Sequence, residues 1–149
     1  MNIKRKLALI LCICIAFVAV AYAQENSTNS QENAKEQKID IDLTLLNATM
    51  SYGQMFDMLV NPKNYESKIV KVKGQFVKYF DDIQKKTYYL VNIIDQAGCC
   101  AMGVEFVPKD IDNWQPPLEG DEIIVTGTFT TYIENGNTYA SMVDCIIEK

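Results

Sequence analysis

Two long runs of alternating residues, each with a glycine at its centre, constrain this chain more than any other feature. Residues 68–80, KIVKVKGQFVKYF, put Val70, Val72, Gly74 and Phe76 on one face and Lys71, Lys73 and Gln75 on the other. A period of two with one apolar side is the pattern of a strand buried on one face and solvated on the other. Residues 122–130 repeat it, with Ile123, Val125, Gly127 and Phe129 alternating with Ile124, Thr126, Thr128 and Thr130. A glycine inside a strand costs stability unless the strand bends or bulges there, so these strands are expected to coil through barrel corners.

Shorter strands are expected at residues 87–95 and 101–107. A last one at 138–147 follows the turn Glu134-Asn135-Gly136-Asn137, whose Asn-Gly pair suits a tight hairpin. Glu119-Gly120-Asp121 marks another turn, and the stretch 108–117, PKDIDNWQPP, supports at most one helical turn. Five strands in so short a span predict an all-β domain, a five-stranded Greek-key barrel of closed or nearly closed form, with an open meander as the alternative.

Ahead of the strands, residues 39–43 alternate as a half-buried strand or extended arm would, and a short N-terminal helix follows. Ser51 as N-cap with Gln54 three residues on makes a capping box, and Met50 with Met55 fits a hydrophobic staple. Tyr52, Met55, Phe56 and Leu59 recur at helical spacing, and Asn61-Pro62 ends the helix near Val60.

The first residues have another character. Lys4, Arg5 and Lys6 precede an apolar run from Leu7 to Val20 that closes with Ala21-Tyr22-Ala23, the pattern of a cleaved signal peptide over residues 1–23. The alternative is an uncleaved anchor, although residues 7–23 number 17 (23 − 6), short for a bilayer span. Residues 24–38 hold one apolar residue, Ala34, among Asn, Gln, Ser and Glu. Such a stretch buries too little to offset its ordering entropy and is expected to be a disordered spacer, leaving residues 39–149 as the domain. The protein is thus expected outside the cytoplasm, touching a membrane only if the signal stays uncleaved.

Charge narrows the function. The chain carries 14 Lys and Arg against 19 Asp and Glu; residues 24–149 lack Lys4, Arg5 and Lys6, giving 11 − 19 = −8, with neither His nor Arg remaining. Arginine is the usual bidentate reader of phosphate and guanine, and polyanion binding draws on neutralised phosphates, so nucleic acid is an unlikely partner. Without histidine, Ser-His-Asp and Cys-His machinery cannot be built. A non-catalytic protein without a cofactor is expected.

The segments NPKNYESKIVKVKGQF, YYLVNIID, CCAMGVEFV, LEGDEIIVTGTFTTY and TYASMVDCII together resemble small exported bacterial proteins with an OB domain, related to the tRNA-anticodon-binding-like OB-fold families. The resemblance covers roughly residues 61–147. It implies an OB barrel outside the cytoplasm with a binding role but supplies no ligand, since the nucleic-acid label of such families comes from fold similarity. One departure is the missing helix between the third and fourth strands of that plan; the helix at residues 51–60 is expected to cover a barrel end instead.

Cys12 and Cys14 fall in the signal, leaving Cys99, Cys100 and Cys145. Neighbouring Cα atoms lie about 3.8 Å apart, below the disulfide range, so a bridge from Cys99 or Cys100 to Cys145 is expected. The alternatives are a thiolate site for a soft metal such as Zn²⁺ or Cu(I), helped by Met102 or Met142, and a redox thiol. Asp40/Asp42, Asp81/Asp82 and Asp110/Asp112 lack the glycine-centred loop calcium needs and read as solvated faces and turns. For ligand binding the candidates are Lys71, Lys73, Tyr79 and Tyr88, with Lys78 and Tyr89 beside them, on the two strands where OB barrels stack bases or sugars; core packing is the competing explanation. The expected function is a binding or accessory domain for an exported partner protein or a small neutral ligand. Single-stranded nucleic acid or oligosaccharide binding, and a thiol-based metal or redox protein, are the alternatives.

Overall fold

Both glycine-centred runs are long strands in the computed structural model, which describes residues 38–149. The expected signal peptide, its two cysteines and the spacer up to residue 37 lie outside the described residues. In chain order come β1 (Ile41–Asp42), a 3-10 turn (Leu43–Leu45), α1 (Ala48–Val60), a second 3-10 turn (Pro62–Asn64), β2 (Ile69–Asp81), β3 (Lys86–Ile94), β4 (Ala101–Pro108), β5 (Glu122–Glu134) and β6 (Asn137–Glu148). The six strands form one sheet in the order β1-β2-β3-β4-β6-β5, and β2 also pairs with β5, so the sheet closes into a ring with β1 outside it along β2. The expected extended arm is therefore a sixth strand, held parallel to β2 by Ile41 beside Val70.

Closure depends on β2 serving two partners. Residues from Ile69 to Gln75 ladder with β5, and those from Gln75 to Asp81 ladder with β3. The handover falls at Gly74, where a Cβ would collide with the backbone carbonyl of Asn92. The opposite corner uses a bulge: Thr126 pairs with Ile146 and Thr128 with Val143, so Gly127 faces two residues, Asp144 and Cys145. Asp144 takes the left-handed conformation at φ 53° that such a bulge requires, which aspartate tolerates better than most residues. A Cβ on Gly127 would land on the Cys145 sulfur.

Alternation then fills the ring. Val70, Val72, Phe76, Val91, Val104, Phe106, Ile123, Val125, Phe129 and Met142 are buried, together with Met55 and Met58 from α1. Trp114, from the proline-rich connection between β4 and β5, stands edge-on to Tyr89 at 4.9 Å and to Phe106 at 5.8 Å between ring centroids. That connection holds a single α-turn, Trp114 N–H to Asp110 O at 2.9 Å, so one aromatic side chain packs on the core from a segment without a helix.

Helix α1 begins earlier than expected. Its N-cap is Asn47, whose side chain accepts from Met50 N–H at 3.0 Å, and not Ser51. One more turn forms because Asn47 is as good a cap as serine, and Ser51, buried within the helix, donates its hydroxyl to Leu43 O at 2.9 Å. The predicted Met50–Met55 staple is consequently absent: Met50 is exposed while Met55 is fully buried. The buried stripe takes Met58 in place of the expected Phe56, which is 55% exposed. Beyond the helix, Tyr65 packs edge-on to Phe129 and donates its hydroxyl to the Asp57 carboxylate, tying the helix end to β5. Among the described residues no helix is long and apolar enough to cross a membrane.

The two kinds of glycine in this domain are separable by stability measurements. Gly127→Ala forces a methyl onto Cys145 and is expected to lower the unfolding free energy by about 1–3 kcal/mol, the usual cost of overpacking. Gly53→Ala lies on the exposed side of α1 with open space around the new methyl and is expected to raise it by about 0.5–1 kcal/mol. Urea denaturation of the two variants beside the parent checks both signs.

Candidate functional site

Side chains alternate along a strand, so the positions between Phe76, Tyr89, Val91 and Phe106 face away from the core. In the second half of β2 and in β3 these are Val77, Tyr79, Tyr88 and Leu90; in β4 they include Glu105, and at the far ends of β5 and β6 Tyr132, Glu134 and Tyr139. They line one groove of about 670 Å³. Two hairpin tips flank it. The β2–β3 tip contributes Asp81 and Gln84, and the β5–β6 tip contributes Glu134 and Asn135.

Each tip is built by local chemistry. Asp81 Oδ1 accepts from the backbone N–H groups of Ile83 at 2.7 Å and Gln84 at 3.0 Å, an aspartate turn that caps the hairpin. Asn135 and Gly136 take φ of 51° and 80°, the two positive values a two-residue hairpin turn demands, as the Asn-Gly pair predicts.

The tyrosines come in cross-strand pairs. Tyr79 opposes Tyr88 with ring centroids 6.2 Å apart, and Tyr132 opposes Tyr139 at 5.6 Å with rings 26° from parallel. Carboxylates orient the hydroxyls: Tyr88 donates to both oxygens of Glu134 at 3.0 and 2.9 Å, and Tyr132 donates to Glu105 Oε2 at 2.5 Å. Lys86 sits between the two halves, its ammonium 4.2 Å from the Tyr88 ring centre, 5.5 Å from that of Tyr132, and 3.6 Å from Glu134. Burial pushes the Lys86 pKa down, but Glu105, Tyr88 and Glu134 together outweigh it and hold the ammonium charged. Burial, followed by the Glu105 carboxylate, raises the Tyr132 pKa, so its phenol stays a donor. The result is an aromatic floor edged by oriented phenols and three carboxylates, with the nearby lysine already engaged.

The candidate ligand residues are divided between two places. Tyr79 and Tyr88 are in this groove. Lys71 and Lys73 lie on the half of β2 that pairs with β5, where Lys71 meets Glu148 at 3.9 Å and Lys73 meets Glu122 at 2.7 Å. Lys73 borders a separate hollow of about 290 Å³ beside the start of α1. Tyr89 turns inward and stacks with Phe76 at 6.0 Å. Glu105, Tyr132, Glu134 and Tyr139 were not among the expected site residues. Their signal was available in the phase of alternation, since Glu105 sits between core residues Val104 and Phe106, and Tyr132 lies three beyond Phe129.

The expected disulfide is absent: Cys99, Cys100 and Cys145 are all free. Cys145 pairs with Pro108 at the end of β4, whereas Cys100 immediately precedes its first residue, Ala101. The 8 residues of β4 at about 3.3 Å each put the thiols on the order of 25 Å apart, against a disulfide limit of about 7 Å between Cα atoms. Cys145 is buried against Gly127, and Cys99 and Cys100 are exposed. Comparison with protein-family models, curated proteins and solved structures finds no match to this chain.

Burial pushes the Cys145 thiol from its ordinary 9.0 up to about 12. The unfolded chain ionises this thiol as pH passes its ordinary value while the folded chain keeps the proton, so stability falls as pH rises from about 9 to about 12. We expect a contribution of at most about 1.4 kcal/mol per pH unit in that window, removed in Cys145→Ala. Denaturation at a series of alkaline pH values measures the slope, and native thiol labelling is expected to modify Cys99 and Cys100 but not Cys145.

Proposed function

We propose that residues 39–149 are an OB-type barrel serving outside the cytoplasm as a non-catalytic binding module, and that the groove between the hairpin tips holds a neutral, hydroxyl-rich ligand of the oligosaccharide class. The OB assignment draws its support from the connectivity. β2, β3 and β4 form a meander, β4 runs parallel to β6, and β5 returns to pair with β2, the partly closed Greek-key plan of such barrels. Export draws its support from the signal pattern in residues 1–23.

The observation that carries the reading is the convergence of both hairpin tips on one tyrosine-lined groove, the place where OB barrels take oligonucleotides and oligosaccharides. Charge decides between those two ligands. Asp81, Glu105 and Glu134 face the groove, Lys86 is engaged by Glu134, and among the described residues no arginine or lysine lines the groove, so a phosphate chain meets repulsion there. Sugar rings have apolar faces for the tyrosines and hydroxyls that donate to carboxylates. A second reading, a protein partner, is favoured by Phe80, Ile83 and Ile133, which project from the tips as exposed apolar side chains.

NMR titration of the isotopically labelled protein with a panel of neutral oligosaccharides tests the proposal. Saturable shifts are expected at Tyr79, Tyr88 and Tyr132, with Tyr88→Ala weakening binding about tenfold, the scale of one lost aromatic contact. Single-stranded DNA at physiological salt is expected to bind no more tightly than the nonspecific range of roughly 10⁻⁴ to 10⁻⁶ M. Tighter, salt-sensitive DNA binding that disappears in Tyr88→Ala would replace the saccharide reading with a nucleic-acid one.

A further inference from the structure

The turn joining β3 to β4 brings together three groups that the groove does not use. Residues 95–100 form a bend in which Asp95 N–H donates to Cys100 O at 2.9 Å and Gly98 N–H donates to Asp95 O at 3.1 Å, with Gly98 at a φ of 73°. Adjacent side chains on an extended strand point to opposite faces. Here the bend turns the two thiols to one side, Cys99 Sγ and Cys100 Sγ lying 3.7 Å apart. The Asp95 carboxylate is aimed at them: Oδ1 accepts from Cys99 N–H at 3.0 Å and Cys100 N–H at 3.3 Å, which leaves Oδ2 3.3 Å from Cys99 Sγ.

Those separations match the edges of a coordination tetrahedron. With metal–sulfur bonds of about 2.3 Å and a metal–oxygen bond of about 2.0 Å, tetrahedral angles place two sulfurs about 3.8 Å apart and a sulfur and an oxygen about 3.5 Å apart. All three ligand atoms lie within 4.8 Å of one another. Among the described residues the thiols also have no disulfide partner within reach. Their own Cα atoms are too close for an unstrained bridge, and Cys145, at the other end of β4, is out of reach.

We propose that Asp95, Cys99 and Cys100 form a surface site for one soft, thiophilic d¹⁰ cation of the zinc class, bound through two thiolates and one carboxylate with a fourth position open to water. Binding releases the two thiol protons to solvent and leaves the sulfurs as thiolates. The exposure of both thiols gives a cation direct access. Met102 and Met142, named with the thiols on sequence grounds, have no part in this set, since Met142 is buried in the core and pairs with Phe106 in β4.

Cadmium is the probe, because its thiolate complexes absorb in the ultraviolet. The reduced, metal-free full-length chain, with Cys12 and Cys14 replaced by serine so that only the three cysteines of the domain remain, is titrated with Cd²⁺, and Zn²⁺ is then used to displace it. The expected result is a sulfur-to-cadmium band saturating at one ion per chain, reversed by Zn²⁺, with affinity rising as pH rises. Cys99→Ser and Cys100→Ser should each abolish the saturable band, Asp95→Asn should keep it with about tenfold weaker binding, and Cys145→Ser should leave it unchanged. The absence of a saturable band, its persistence in either single serine variant of the pair, a stoichiometry of one ion to two chains, or undiminished affinity in Asp95→Asn overturns the proposed site. Asp95, Cys99 and Cys100 lie on a surface turn whereas Cys145 is buried in β6, and circular dichroism of each variant, Cys145→Ser above all, checks that the fold is intact.

Discussion

Strand β2 donates to two ladders in succession, and the rest of the molecule follows from that sharing. Its backbone can leave β5 and join β3 only where the Asn92 carbonyl approaches without meeting a side chain, which is the position of Gly74. A flat sheet of these strands would leave β5 and β2 as edges with unpaired backbone groups, and pairing them removes both. The same turn gives β2 two environments. Its first half carries lysines on the outer face, paired with acidic residues of β5 and β6, and its second half carries Tyr79 to the groove.

The second corner works through a different device. The bulge opposite Gly127 lets β6 satisfy an antiparallel partner, β5, and a parallel one, β4, while turning Cys145 inward. Beyond the bulge the β5–β6 ladder continues in register to Glu134 and Asn137, so this hairpin projects far enough to stand beside the β2–β3 tip. Tyr88 and Glu134, 46 residues apart in sequence, meet in a hydrogen bond because both hairpins reach the same edge of the ring. The groove is therefore a product of closure, with its floor from one pair of strands and its wall from another.

Much of this was legible in the alternation. Four of the five long strands lie within a residue of their expected bounds, because a strict period of two flanked by turn residues has few competing readings, while β5 runs four residues past the expected 130, to Glu134. The mid-strand glycines located the corners for the same reason. The helix start was misplaced since Asn47 and Ser51 are both competent caps, and only the long-range bond from Ser51 to Leu43 decides between them. The disulfide expectation failed on register: two cysteines bordering one strand are neighbours only if they lie at the same end, and a parallel β4–β6 pairing puts them at opposite ends. Half of the groove was likewise hidden, because Tyr132, Glu134 and Glu105 join Tyr79 and Tyr88 only through the closure of the ring.

The shared strand and the groove stand or fall on one contact, that between the Tyr88 ring of β3 and the end of β5. Nuclear Overhauser effects from the Tyr88 ring protons measure it directly in solution. Closure predicts cross-peaks to side-chain protons of Glu134 and, through the Lys86 bridge, a common set of contacts with Tyr132. A Tyr88 ring that sees Tyr79 and Lys86 within its own hairpin but nothing from β5 would contradict the account, leaving an open sheet with two separate tips and no groove between them.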